Sequence, residues 1–428
     1  MNVTDRMRED WNARAREDAN FYVAFARRGQ DSQEFFDTGK DVVRSLKEEL
    51  KRFPPTSNRR AWRALEIGCG PGRLMRPLSQ IFGEIHGVDV SDEMIRRAEA
   101  NLSDVPHAHP HHSSGADLAQ FADESFDFVY SYAVFQHIPS RDVVMNYLRE
   151  AGRVLKTGGM MRLQINGLPE TARRYDTWSG VRISAVEVAR FARESDLQLL
   201  ALEGIETQYM WTTMMKWPAG WAEGTPDSTT RIRRVTNNYS SEPVAPVTGR
   251  YALIALWMEN LPATCDLNHL EAMIGGKFAL PAYIGPVQPD ALQQLNLRVP
   301  SGVATGLAPI ELSWNGQPLC PPGRIRVIPP PPRVPVLIDV TDGTDQLSGK
   351  TIVTGTIKVT IEDITKPETF RAWVAGQPVE DVDVFCADPL PPRYEINLRI
   401  PDGCSKGPSP LQIHVENHRL APVTIELR

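Results

Sequence analysis

Cysteine is scarce in this chain, and none of it is paired in sequence. Cys69, Cys265, Cys320, Cys386 and Cys404 form an odd set with no C-x-x-C spacing. That excludes a zinc ribbon or a disulfide framework and predicts reduced, buried thiols and no metal. Long apolar runs are missing too: YALIALWM at 251–258 is far too short to span a bilayer. The opening residues, MNVTDRMREDWNARARED, are charged and lack a signal-peptide core. Basic excess is absent as well. The net charge is −6, so no bulk positive field draws nucleic acid. Together these absences predict a cytoplasmic protein with neither a membrane nor a nucleic-acid partner.

What is present is enough for more than one core. A chain of 428 residues implies two or three domains. Residues 1–217 alternate strand-like bursts (RALEIG, EIHGVDV, FDFVYSYAVF, GGMMRLQI) with helical stretches such as SDEMIRRAEANL and DVVMNYLREAGRVL. This alternation predicts an α/β fold, a mostly parallel sheet covered by helices. The Gly-, Pro- and Thr-rich stretch at 217–230 reads as a linker, spanning 218–230 between domains.

Beyond residue 231 the texture is all β. Short alternating strands such as LNLRV, TIKVTI and EINLRI recur, and prolines are dense. Residues 295–319 align without gaps with 396–420, an offset of 101 residues. Leu297, Arg298, Pro300, Gly302, Gly306 and Pro309 recur as Leu398, Arg399, Pro401, Gly403, Gly407 and Pro410. The repeat predicts two tandem Ig-like β-sandwiches, 231–328 and 329–428, joined at the semi-rigid PPPP of 329–332.

The chemistry concentrates at ALEIGCGPGRL, residues 64–74. Gly68, Gly70 and Gly72 sit between a strand-like and a helix-like run, where a turn brings backbone close to a ligand. The spacing is G-x-G-x-G, not the G-x-G-x-x-G of dinucleotide folds. Asp89 ends the next strand, where a carboxylate accepts hydrogen bonds from ribose hydroxyls. Glu66 puts negative charge where a dinucleotide would place pyrophosphate. A ligand carrying an ammonium and a sulfonium suits it better, with Arg73 placed to meet a ligand carboxylate. S-adenosylmethionine has that chemistry.

On these residues, 60–217 resemble a class I S-adenosylmethionine-dependent methyltransferase, of the methyltransferase type 11/25-like kind. LEIGCGPGRL resembles the family's first motif and HGVDVSDEMIRRA its second. GADLAQFADESFDFVYSYAVFQHIP resembles the adenine-side loop and fourth strand, and REAGRVLKTGGMMRLQI the helix and fifth strand after it. The resemblance implies a Rossmann-like seven-stranded sheet with helices on both faces and S-adenosylmethionine as cofactor. It implies that Glu66, Gly68, Gly70 and Gly72 shape the turn under the methionine moiety. It places Asp89 on the ribose, Val90 on the adenine, and Asp117 and Leu118 at the adenine edge. Ser131 and Tyr132 then face the sulfonium.

His137, just past the fourth strand, is a candidate base for a hydroxyl acceptor or else a residue that orients its loop. Gln136 is a candidate acceptor contact. The run HAHPHH (His107, His109, His111, His112) looks metal-like, but its position away from the cleft predicts a solvated loop. A helical segment before the first motif predicts a lid carrying Trp11, Arg14, Phe21 and Tyr22. The loop 166–180 offers Arg173, Arg174, Tyr175, Asp176 and Trp178, and the last hairpin Tyr209 and Trp211. Such a mix suits a polar or glycan-like acceptor.

The β-modules read as a homodimer surface, as recruiters of a partner or glycan, or as spacers. The function predicted is methyl transfer to an oxygen or nitrogen of a small-molecule or glycan-like acceptor. The alternative is a non-catalytic scaffold with a degenerate methyltransferase domain that presents its β-modules. A nucleic-acid methyltransferase is disfavoured, because SYAV stands where an N-P-P-Y-type tetrapeptide would.

Overall fold

A computed structural model describes residues 2–24, 29–170, 174–249, 251–330, 333–343, 349–388 and 392–428. The chain separates into two units, Met1–Ala19 with Gly39–Pro330, and Asn20–Thr38 with Pro331–Arg428. Helix α1 (Val3–Ala24) is interrupted at Asp18, whose φ of −164° and ψ of 88° are not helical. The change of unit follows directly, so the predicted lid helix is not one continuous body. Helix α2 (Ser32–Asp37) belongs to the second unit. It opens with a capping box between Asp31 and Glu34, which satisfies two amide groups at its start.

The first unit continues with α3 (Lys40–Glu49), β1 (Arg63–Ile67), α4 (Met75–Leu78), β2 (Glu84–Asp89), α5 (Asp92–Asn101) and β3 (Ala108–His112). Then come β4 (Phe126–Ser131), α6 (Arg141–Val154), β5 (Leu155–Ile165), α7 (Ala185–Glu194), β6 (Leu197–Glu203) and β7 (Met210–Lys216). The order across the sheet is β3-β2-β1-β4-β5-β7-β6. Strands β1 to β5 are parallel, and β7 runs antiparallel between β5 and β6. Near-continuous apolar strands such as β1, buried from Ala64 to Ile67, are what a covered parallel sheet requires. Ser91, Ser140 and Ser184 cap α5, α6 and α7. This is the expected Rossmann-like α/β layout. The HAHPHH run is not a solvated loop: β3 is built from it, paired in register with β2 and half-buried.

The sheet does not stop at β6. After β8 (Arg231–Asn237), β9 (Val244–Pro246), β10 (Leu253–Glu259), β11 (Leu270–Ile274) and β12 (Lys277–Phe278), strand β13 (Pro281–Val287) pairs antiparallel with β6 at Tyr283 and Ala201. With β14 (Leu292–Arg298), β10 and β8 beyond it, one sheet of eleven strands results. A second sheet, β12-β11-β15-β17-β9, uses β15 (Gly306–Trp314) and β17 (Gly323–Ile328), with β16 (Gln317–Pro318) beside β15. One core runs from Leu65 and Val129 in the α/β sheet to Ile310 and Trp314 in the β-module.

The stretch 218–230 lies inside this unit and is tied down. Trp221 Nε1 donates to Asp196 O, Asn315 Nδ2 donates to the carbonyls of Ala222 and Gly224, and Thr230 Oγ1 donates to Asn260 O. Buried charge also stitches the seam. Glu49 and Arg52 are both about 4% exposed and pair at 2.7 Å, while Glu49 also accepts from Thr213 and from the Tyr283 hydroxyl. Arg52 reaches the Ile284 carbonyl of β13, and Arg162 donates to Thr213 and Glu203.

The second unit repeats the β-module strand for strand. Its strands are β18 (Val336–Asp342), β19 (Thr351–Ile352), β20 (Thr356–Glu362), β21 (Arg371–Val374) and β22 (Gln377–Pro378), followed by β23 (Val382–Asp388), β24 (Arg393–Arg399), β25 (Gly407–Val415), β26 (His418–Arg419) and β27 (Val423–Leu427). Sheet orders β18-β20-β24-β23 and β19-β27-β25-β21-β22 mirror β8-β10-β14-β13 and β9-β17-β15-β11-β12. Residues of both sheets, such as Val359 and Leu411, share one core, which makes this a β-sandwich. The repeated glycines recur because the backbone demands them: Gly302 and Gly403 have φ of 83° and 90°, Gly306 and Gly407 of 126° and 113°.

Candidate functional site

The C-terminal ends of β1, β2 and β4 converge on the glycine turn, the edge at which open α/β sheets bind ligands. All three turn glycines have positive φ: 73° at Gly68, 49° at Gly70 and 84° at Gly72. A Cβ on Gly68 would stand 2.3 Å from Val134 Cγ2, and one on Gly72 2.9 Å from Leu102. Only glycine fits a chain this close to its neighbours.

Asp89 braces the turn from β2. Its Oδ2 accepts from the Gly70 amide and its Oδ1 from the Ser91 amide, both at 2.9 Å. Burial raises its pKa, while these amides oppose the shift. Each oxygen keeps a further lone pair, which a pair of ribose hydroxyls can use. Glu66 lies at 3% exposure and accepts from the Tyr130 hydroxyl at 2.9 Å. Burial pushes its carboxyl up to about 8, against the pull of Tyr130 and Arg73. At neutral pH the unliganded protein therefore holds a neutral acid here, not the negative charge that the sequence suggested. Cys69 sits in the turn as a buried thiol that burial holds protonated.

The adenine-side residues are split. Val90 contacts the glycine of the following loop, where a Cβ on Gly115 would come within 2.6 Å of it. Asp117 is half-buried and accepts from the Ala119 amide, a turn-like contact. Leu118 is wholly buried in the core, with its amide on Glu150. Ser131 is also fully buried and donates to Ile67 O at 2.8 Å, tying β4 to β1.

Beyond the turn stands an aromatic wall. Tyr132 stacks on Trp211 with ring centroids 5.5 Å apart and on Tyr209 at 6.4 Å. The Arg73 guanidinium lies 5.7 Å from the Tyr132 ring, and Arg162 4.8 Å from that of Trp211. Gln136 and His137 lie on a short 3-10 turn (Phe135–His137), both buried. His137 Nδ1 lies 3.0 Å from Trp178 O, so it carries the proton and leaves Nε2 as the acceptor for Gln136 Nε2 at 3.2 Å. Burial, with Arg14 nearby, lowers His137 to about 4 against the pull of the Trp178 carbonyl.

The first turns of α1 are strapped over this edge. Trp11 meets His137 edge-on at 5.2 Å, and Arg14 lies over both Trp11 and Trp178. Arg14 also donates to Thr177 O and Oγ1, while Thr177 Oγ1 donates to Asp10 at 2.6 Å. Phe21 and Tyr22, the other two predicted lid residues, belong to the second unit and pack edge-on against each other. Tyr175 is half-buried, Arg174 is exposed, and Arg173 lies outside the described residues. No three ligating side chains among the described residues are placed to hold a metal ion, and none of their helices is long and apolar enough to cross a membrane.

Two polar residues were missed by the sequence reading. Asn12 accepts from Ser91 Oγ and the Glu93 amide and donates to Asp92, anchoring α1 to the start of α5. Gln164, fully buried, accepts from the Ala133 amide and donates to Gln208 O and Gln136. A polar residue in the apolar strand MMRLQI was the one available signal for Gln164. Nothing local marked Asn12.

Residues 65–163 match the family model described as a methyltransferase domain. Phosphoethanolamine N-methyltransferase 2 of Caenorhabditis elegans is 33% identical over 105 residues, 24% of this chain and 23% of that protein. The ubiquinone biosynthesis O-methyltransferase of Mesorhizobium japonicum is 27% identical over 99 residues, 23% of this chain and 39% of that one. The chain thus spans well under half the length of these curated relatives. Among solved structures, Haemonchus contortus phosphoethanolamine N-methyltransferase 1, in complex with phosphoethanolamine and S-adenosylhomocysteine, aligns at TM-score 0.38 and 16% identity, covering 53% of this chain and 51% of that one. The chain carries a methyltransferase domain over this stretch, and S-adenosylmethionine is the cofactor of that family.

Proposed function

We propose that this protein moves the methyl group of S-adenosylmethionine to an oxygen or nitrogen of a small-molecule or glycan-like acceptor by in-line displacement. The observation that carries the reading is Asp89: a half-buried carboxylate that braces the glycine turn and keeps acceptor capacity on both oxygens. The residues present fit the cofactor. Side chains at Gly68 and Gly72 would strike Val134 and Leu102, so the turn stays bare, and the neutral Glu66 is a group that an incoming ammonium would ionise.

When bound, S-adenosylmethionine supplies an electrophilic methyl group, so the chain's task is positioning and exclusion of water. Gly68, Gly70 and Gly72 admit the methionine moiety, with Glu66 and Arg73 facing its charged end. Asp89 holds the ribose, and Val90 and Asp117 flank the adenine. Tyr132, Tyr209 and Trp211 line the acceptor side, opposite Trp11, Arg14 and Trp178. His137, lowered to about 4, is a neutral but weak base. Its two ring contacts support a role in holding Gln136 and the 178–180 loop in place, with the acceptor lending its own lone pair. The β-modules are read as Ig-like and as offering a homodimer surface.

Titration calorimetry with S-adenosylhomocysteine tests the reading. Binding is expected, and Asp89→Ala should remove it. A well-folded protein that does not bind would leave the scaffold alternative standing.

A further inference from the structure

The HAHPHH run is not used by the proposed reaction, yet its side chains are packed with care. On one face of β2 and β3 lie His86, His109 and His111. The His86 ring is 4.9 Å from His109 and 5.3 Å from His111, the latter stacked within 7° of parallel. Phe121 and Phe126 close on the same rings edge-on. His86 is 8% exposed.

The hydrogen bonds decide its protonation state. His86 Nδ1 and His111 Nε2 are 3.0 Å apart, a space that holds one proton. Arg63 Nη2, a donor only, lies 3.2 Å from His86 Nε2. Arg63 is nearer to Nε2 than Glu84 is, so the neutral ring offers it a lone pair there and Nδ1 supplies the single proton to His111. A second proton on His86 would sit between the ring and the Arg63 guanidinium. The charged groups facing the ring are Arg63 from β1, Glu84 from its own strand, and His109 and His111 from β3. Glu84 Oε2, 3.4 Å from Nε2 and also accepting from Arg63 Nε at 2.8 Å, favours the protonated ring and opposes the effect of burial. Burial lowers His86 to about 4 and also lowers His111.

The opposite face of the same two strands serves the cofactor cleft. Asp89 and His112 are the last register pair of β2 and β3, and Asp89 O accepts from the Ser113 amide. His112 Nε2 lies 3.2 Å from Val90 O. The loop from Ser113 to Leu118 starts at the end of β3 and is held at its far end by α6, through Asn146 on Ala116 O and Glu150 on the Leu118 amide, so the pairing of β3 fixes its first residues.

We propose that the His86–His109–His111 cluster is an acid-released latch: protonation loosens β3 from β2 and, through Asp89 and Ser113, weakens cofactor binding. The coupling to cofactor rests on the reading of Asp89 given above; the latch itself does not. A histidine at about 4 when packed and at 6.5 when released shifts the opening equilibrium about tenfold between pH 7.5 and 5.5.

Hydrogen exchange on the full chain reads this directly. After correction for intrinsic rates, amides of 108–113 should lose about tenfold protection between pH 7.5 and 5.5, while those of 126–131 hold. The loss should vanish in His86→Phe, which keeps a ring against Phe121 and Phe126. Equal loss in that variant, or no loss in the wild type, overturns the latch. Should His86→Phe fail to fold, His111→Gln serves, with the loss reduced. Saturating S-adenosylhomocysteine at pH 5.5 should restore protection. Binding without restored protection overturns the coupling. No binding even at pH 7.5, with the exchange pattern intact, overturns the cofactor reading and upholds the latch.

Discussion

Cofactor binding should release a proton, and Glu66 should be its source. The carboxyl is pushed up to about 8 by burial. At pH 7 roughly nine-tenths of the unliganded protein then carries a neutral acid at this position. A ligand ammonium about 4 Å away, in an effective dielectric near 20, attracts a carboxylate by about 4 kcal/mol. That is worth about three pKa units, enough to bring Glu66 to about 5 in the complex. Binding at pH 7 should therefore expel about 0.9 proton, falling to about 0.1 at pH 9. Calorimetry with S-adenosylhomocysteine in buffers of low and high ionisation enthalpy gives the number directly. Affinity should rise almost tenfold from pH 6 to 7 and level off above 8. Glu66→Gln should keep the Tyr130 hydrogen bond and abolish the release. Proton uptake, or release that survives in Glu66→Gln, would refute the reasoning. The same group sets a sign for the unliganded fold. Its raised pKa contributes stability that is full below about 4.5 and lost as pH climbs through about 8. His86 runs the other way: its lowered pKa favours the fold above 6.5, and that contribution is lost as pH falls towards about 4.

Gly68→Ala should cost about 2–4 kcal/mol, about 1–2 for a left-handed backbone and the remainder for the strike on Val134. Thermal unfolding should show that Val134→Ala recovers only the second part. Glu49→Gln should destabilise the first unit by about 3 kcal/mol, because it leaves Arg52 buried without its partner. Tyr283→Phe should cost about 1 kcal/mol, since it removes a single hydrogen bond at the seam. Asn12→Ala should free the start of α1, seen as faster proteolysis before residue 20 without loss of the sheet.

The parallel sheet was legible because apolar strand-like bursts alternate with helical stretches along residues 1–217. The glycine turn was legible because close backbone approach leaves few residue choices. Histidine-rich β3 was not. Imidazoles pass equally as solvated or packed groups, and only β2 alongside shows which. The state of Glu66 was misjudged for a related reason: charge was read from the residue type, whereas burial sets it. Asn12, Thr177 and Arg162 act on partners some 80, 163 and 51 positions away, beyond any local pattern.

Sequence was enough for the α/β alternation, the motif order and the internal repeat, all of which rest on local periodicity or on backbone angles that one residue type satisfies. What it did not determine is how far the first sheet extends. Strand β6 ends an ordinary sheet unless another edge meets it, and β13 meets it from about 80 residues downstream. Hydrogen bonds along a strand edge carry no sequence signature, since every residue but proline offers the same donor and acceptor. Tertiary structure alone made the first repeat part of the methyltransferase core and grouped the second with residues 20–38 in another unit.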